Sequence, residues 1–211
     1  MKKIKKEWRK LEKNFYLPKK TPTIIDIPEF NFYSIKGEGN PNSEKFGEYV
    51  GVLYSLSYAI RMSPKKGYQP DNYFEYTVYP LEGVWDIKEE AKENFKELNK
   101  DDLVFDMMIR QPDFVDEAYA EKIIEIVKKS KPHELLEEVK FVSLTDGKCV
   151  QMMHLGSYDS EPVSFKIMED FIEENGYKRV SKIHREIYLS DPRKTAPEKL
   201  KTVLRCRIKE K

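Results

Sequence analysis

The sequence predicts an α+β domain made of two similar units with a cleft between them. A half-repeated pattern carries that reading. FNFYSIKGEG (30–39) ends in a glycine turn, EKFGEYVGVLYSLSYAIRM (44–62) reads as a helix, and FEYTVYPLEGVW (74–85) returns as strand. The second copy is CVQMMHLGSY (149–158), EPVSFKIMEDFIEENG (161–176) and HREIYLSDP (184–192). Strands and helices also mix without regular βαβ alternation, which indicates α+β. Finally, 211 residues with 39% hydrophobic side chains suffice for one core or two small ones.

From the N-terminus, residues 1–13 hold seven Lys or Arg against two Glu. They read as a solvated helix docked by Trp8, Leu11 and Phe15, which share helical spacing. Residues 16–23 are a Pro-containing linker, so 1–21 form a basic arm and 22–211 the domain. Residues 24–35 read as a strand broken at Pro28, and 36–43 as a turn with Ser43 as N-cap. In the following helix Phe46, Val50, Leu53, Leu56 and Ile60 form the apolar stripe, flanked by Tyr49, Tyr54 and Tyr58. A loop (63–72) leads to a strand at 73–79, a turn at Glu82-Gly83 and a strand at 84–87. Residues 88–101 are weakly helical, 103–109 a strand and 115–129 an amphipathic helix. The two halves join near 100–115. Asp146-Gly147 predicts a type I′ hairpin between 139–145 and 149–154. A helix at 161–174 buries Phe165, Met168, Phe171 and Ile172, with Gly176 at its C-cap. Strands at 185–189 and 202–208 close the chain.

Composition excludes several classes. A formal net charge of +1 gives no general attraction to nucleic acid. No run approaches the ~20 apolar residues of a membrane span. Cys149 and Cys206 fit free thiols of a reducing cytoplasm better than a disulfide framework. No G-x-S-x-G, Walker A, H-E-x-x-H or C-x-x-C occurs. His133, His154 and His184 are scattered, so neither a metal nor another cofactor is expected.

Carboxylates and aromatics remain as candidate site residues. Glu186 shares a strand face with Tyr188, opposite Ile187 and Leu189. A carboxylate walled by rings can balance a cation or activate water. Glu82 is its counterpart in the first half, and serves equally well as a turn residue. Glu161 precedes Pro162 at a helix start, where an acid complements the helix dipole. Trp85, Tyr79, Tyr54, Tyr58 and Tyr188 are the candidate aromatic wall. These residues point to a flat aromatic molecule or lipophilic cation as ligand, bound by a monomer or homodimer without nucleic acid or membrane.

The blocks YSIKGEGNPN, EYTVYPLEGVW, MMIRQPDFV, CVQMMHLGSYDSEP and HREIYLSDPRKTAPEKLKTVLR resemble the GyrI-like small-molecule-binding family over residues ~22–208. The likeness is nearest to stand-alone bacterial members, among them cyclopropanoid cyclopropyl hydrolases. It implies duplicated strand-helix-strand-strand units, a curved antiparallel sheet and a central pocket. It further implies that Glu186 matches the pocket Glu, and that Trp85, Tyr79 and Tyr188 lie in blocks supplying pocket aromatics. Ser157 stands where most members carry Pro. Two functions stay open: cofactor-independent hydrolysis of a cyclopropane-bearing DNA-alkylating compound, with Glu186 or Glu82 as base, and binding, sequestration or sensing without turnover. Inhibition of a partner protein is a third, weaker reading.

Overall fold

The computed structural model describes residues 5–93 and 99–211. In chain order the elements are α1 (Trp8–Leu11), α2 (Lys13–Tyr16), β1 (Thr23–Glu38), α3 (Glu44–Arg61), α4 (Ser63–Lys66), β2 (Leu81–Ile87), α5 (Glu89–Glu93), β3 (Leu103–Arg110), α6 (Glu117–Ser130), β4 (Lys140–Leu155), α7 (Glu161–Glu174), β5 (Tyr177–Arg179), β6 (His184–Tyr188) and β7 (Lys201–Glu210). The class is mixed α and β with antiparallel pairing. The chain divides into two compact units. The first takes the N-terminal run to Trp8, Phe30–Leu81 and Asp86–Leu144; the second takes Arg9–Glu29, Glu82–Trp85 and Thr145–Lys211. The last crossing therefore falls at 144/145 rather than within 100–115.

In the first unit the C-terminal part of β1 pairs with β3 from Phe32↔Arg110 to Glu38↔Val104, with β4 on the other side of β1. Helix α3 packs on β3, and α6 packs on α3. Ser43 caps α3 by accepting from the Phe46 amide at 3.2 Å. The buried stripe of α3 is Tyr49, Val52, Leu53, Leu56, Ser57 and Ile60, so it is rotated from the predicted one and takes in Tyr49. Gly37 explains part of that rotation. A Cβ there would collide with the Phe105 and Tyr49 rings, which lie edge to face 5.4 Å apart. Tyr33 donates to the Ala120 carbonyl at 2.9 Å and Gln111 to Ser57 at 3.0 Å, so buried polar groups tie β1, β3, α3 and α6 together.

The strand expected at 73–79 is a single bridge between Lys6 and Tyr76. The Lys6 amide donates to the Glu75 carbonyl at 2.7 Å, and Trp8 donates to the Val78 carbonyl at 3.0 Å. Of the weak helix expected at 88–101, α5 covers Glu89–Glu93, and residues 94–98 lie outside the described residues.

In the second unit β7 pairs with β4 (Cys149↔Arg207 to Leu155↔Lys201), with β6 (Arg185↔Arg205 to Tyr188↔Thr202) and with β5. β2 flanks β6. Opposed residues of an antiparallel ladder point to the same face. One face carries Val150, Met152, Leu204, Cys206 and Ile208, and α7 covers it with Met168 and Ile172. Cys206 lies opposite Val150 while Cys149 lies opposite Arg207, so the two buried, free thiols point to opposite faces.

Three expectations fail here for identifiable reasons. Pro28 does not break β1, which runs unbroken for 16 residues. Asp146-Gly147 makes no hairpin, because β4 is one 16-residue strand. Only Gly147 has positive φ (66°), whereas a type I′ turn needs it at both residues. Asp146 instead holds Arg185, described below. In the arm, Leu11 is 67% exposed and Tyr16 is buried, so the docking residue of α2 is Tyr16. Backbone carbonyls make that docking polar as well: Gln151 donates to Asn14 O at 2.6 Å and Arg205 to Phe15 O at 2.7 Å.

Candidate functional site

Strand alternation sorts the candidate residues of the second unit onto two faces. On β6, His184, Glu186 and Tyr188 share the face covered by α7, while Arg185 and Ile187 take the other. On β2, Glu82 and Trp85 differ by an odd number of residues and so part in the same way. The result is two separate polar clusters.

The first cluster lies under the start of α7. Trp85 Nε1 donates to the Tyr188 hydroxyl at 2.7 Å. Burial, followed by the Glu186 charge, raises the Tyr188 pKa well above the usual phenol value. His184 Nε2 lies 3.0 Å from Glu186 Oε1, and the imidazole stands edge-on to Phe165 with centroids 4.7 Å apart. Tyr158 is edge to face with Tyr188 at 6.0 Å. Burial and then Glu186 push its hydroxyl up to about 12.

Glu161 completes this cluster. It is the first residue of α7 and is 7% exposed. Burial, then repulsion from Glu186, pushes its carboxyl up to about 10. A helix N-terminus favours a carboxylate by only about 0.3–1 kcal/mol, too little to offset burial beside a second carboxylate. At neutral pH Glu161 therefore keeps its proton. Its Oε1 is buried without a hydrogen-bond partner among the described residues.

This protonation links to stability. Because the folded-state pKa is raised, the contribution is full below about pH 4.5 and is lost as pH rises through about 10. Glu161→Gln keeps the shape and has no proton to lose. Urea unfolding at pH 6 and pH 9 is expected to give a smaller stability drop for the variant. At pH 9 it should be the more stable protein by at least about 1.4 kcal/mol, the equivalent of one pKa unit.

The second cluster is built on Arg185, which is 5% exposed. Its guanidinium reaches Glu82 Oε2 at 2.9 Å and both oxygens of Asp146 at 2.8 and 3.1 Å. Burial opposes its charge, but Glu82 and Asp146 outweigh that and hold Arg185 cationic. Glu82 is 2% exposed, and desolvation raises its pKa despite the arginine. Arg205 lies opposite Arg185 in the ladder and donates to Gln151 at 2.9 and 3.1 Å.

Glu82 and Glu186, the two expected bases, therefore lie in different clusters. Glu82 is bound to Arg185 on the opposite face, whereas Glu161 adjoins Glu186. Tyr54, Tyr58 and Tyr79 belong to the first unit. Tyr58 is 53% exposed and lies against Tyr54. Tyr79 stacks on the Arg110 guanidinium, which Phe30 covers from 3.4 Å. Sequence reasoning missed Tyr158, and it missed His184 as a neighbour of Glu186, although the period-2 spacing 184, 186, 188 carried that signal.

A family comparison decides the relationship. The GyrI-like small-molecule-binding domain matches residues 20–209. The chain belongs to this family. The GyrI-like domain is similar to a hydrolase from Listeria innocua at 37% identity, covering 97% of this chain and 100% of that one with a TM-score of 0.88. A conserved protein of uncharacterised role from the same organism is 38% identical, with coverages of 97% and 100% and a TM-score of 0.89. The C-terminal domain of EcmrR shares the fold at 16% identity, with coverages of 90% and 98% and a TM-score of 0.56. No match emerged among the curated proteins. Among the described residues, no group of three or more His, Cys, Asp or Glu is arranged to hold a metal ion. None of their helices is long and apolar enough to cross a membrane.

Proposed function

We propose that this GyrI-like domain binds flat, lipophilic organic molecules beside Trp85, Tyr188 and Tyr158 and hydrolyses an electrophilic ring in them. The observation carrying this reading is the Glu161–Glu186 pair, one carboxyl protonated and one able to accept a proton, against aromatic side chains. Glu186 takes a proton from water as the water oxygen bonds to the strained carbon. The ring carbon–carbon bond breaks, and its electron pair passes into the conjugated part of the substrate. General-base help of this kind is worth roughly 10²–10⁴-fold, enough for an activated cyclopropane of a DNA-alkylating compound. The Listeria innocua relative described as a hydrolase, matched over its whole length, supports an enzyme over a passive binder. Tyr54, Tyr58, Tyr79 and Glu82 are given no part in this chemistry.

The duplicated strand-helix-strand-strand architecture belongs to the same proposal. Its support is that β1 and β4 are each 16 residues long, that Gly39 and Gly156 follow with positive φ (103° and 138°), and that α3 and α7 come next.

Turnover is the decisive measurement. Excess cyclopropane-bearing alkylator is incubated with chelator-treated protein, and the ring-opened alcohol is followed by chromatography. Product well beyond one equivalent is expected. A plateau at one equivalent, or none above the water background, would leave binding without turnover as the function.

A further inference from the structure

We infer that a cleft in the first unit, between α3 and the chain leaving α6, binds a free aliphatic α-amino acid. The cleft measures about 260 Å³ and is lined from α3, α6 and the short 3-10 helix Glu134–Glu137. Helix α3 packs on both of the others. Pockets for drug-sized ligands run to about 300–1,000 Å³, so a smaller occupant fits here. The floor is aliphatic: Val52, Val127 and Leu136 are all buried. Among the described residues no Phe, Tyr or Trp lines it. It therefore suits a branched alkyl group and offers no such ring for a flat one to stack on.

The rim supplies both charges that a zwitterion needs. Glu48 stands one turn before Val52 on α3, and Lys131 follows Val127 by one turn at the end of α6. Both are exposed, and among the described residues neither has an ion-pair partner. A bound ammonium meets Glu48, and a bound carboxylate meets Lys131. His133 adds a donor to the same rim. Its Nδ1 accepts from the Leu135 amide at 3.2 Å, which places the ring proton on Nε2. A plain amine would gain Glu48 but face Lys131, and a plain acid would do the reverse. The zwitterion satisfies both. Gly51 shows that the cleft is kept open. Glycine is the least favourable helix-interior residue after proline, and a Cβ at Gly51 would meet no neighbouring group within 4 Å. Internal packing therefore does not call for glycine at this position, whereas access to the cleft floor does.

Titration of the full chain with L-leucine, followed through its backbone amide NMR signals, tests this. Saturable shifts centred on Gly51 and Val52 are expected, with a Kd of about 0.1–1 mM. Leucinol lacks the carboxylate and 4-methylpentanoate lacks the ammonium. Each should bind at least about threefold more weakly than leucine, the scale of one exposed ion pair. Glu48→Gln should weaken leucine and leave 4-methylpentanoate no weaker, because it removes a repulsion. Lys131→Met should weaken leucine and leave leucinol no weaker, for the same reason. Gly51→Leu should fill the cleft and abolish binding of all three, with an unfolding midpoint in urea equal to that of the wild type or higher. Ser55→Leu, one turn further along the cleft wall, gives a second blocking variant if Gly51→Leu does not fold. Absence of a saturable shift with leucine up to about 10 mM overturns the inference. Leucine binding that survives in the folded blocking variant overturns it too, since the ligand then sits elsewhere. Equal affinity for leucine, leucinol and 4-methylpentanoate also overturns it, by reducing the cleft to an apolar hollow.

Discussion

Glu186→Gln is expected to lower kcat/KM for ring opening by roughly 10²–10⁴-fold, the range of general-base assistance. The substitution is nearly isosteric. Gln can still accept from His184, so circular dichroism and unfolding midpoint should change little. What it loses is the ability to take a proton from water. For a purely binding domain the same change would alter affinity for a cation and leave no rate to lose. A variant with unchanged kcat/KM and intact fold would remove Glu186 from the chemistry.

That this residue could be selected at all follows from strand periodicity. Glu186 and Tyr188 share a face by spacing, and Trp85 sits in a strand-like block, so three members of the cluster were legible in one dimension. Glu161 was legible only as a helix-start acid. Its meeting with Glu186, 25 positions later, depends on how α7 lies over the sheet, and no local pattern encodes that. Elements were read best where periodicity and capping agree, as in α3 with Ser43. They were misread where a long-range partner overrode a local signal. Asp146-Gly147 is a hairpin signal by local chemistry, yet Asp146 spends its carboxylate on Arg185, 39 residues away. Residues 73–79 have strand composition, but among the described residues their bridge is the single one from Tyr76 to Lys6. Tyr16 was missed because the helical pattern of the arm emphasised Leu11.

Arg185→Met is expected to destabilise the protein by about 3–5 kcal/mol at pH 7, the usual cost of removing one member of a buried ion pair. Arg185 donates to Glu82 at 2.9 Å and grips Asp146 with two nitrogens at 2.8 and 3.1 Å. Met fills similar volume, so the loss is electrostatic rather than a cavity. It strands the buried Glu82 and the half-buried Asp146 carboxylates, with Arg205 already committed to Gln151 and to Phe15 O. The pH dependence separates this cause from simple misfolding. In the wild type the arginine holds the Asp146 pKa below its ordinary value, so that contribution is present at neutral pH and is lost as pH falls through the acid range. In the variant both carboxyls lose their cation, their pKa values rise, and protonation relieves the charge. The stability gap between wild type and Arg185→Met should therefore narrow when urea unfolding is repeated near pH 4.5. Adding Glu82→Gln and Asp146→Asn to the variant should recover part of the loss at pH 7. A gap that stays constant with pH, or is not reduced by those two changes, would mean that Arg185 contributes by packing and that the charges of the cluster do not stabilise the fold.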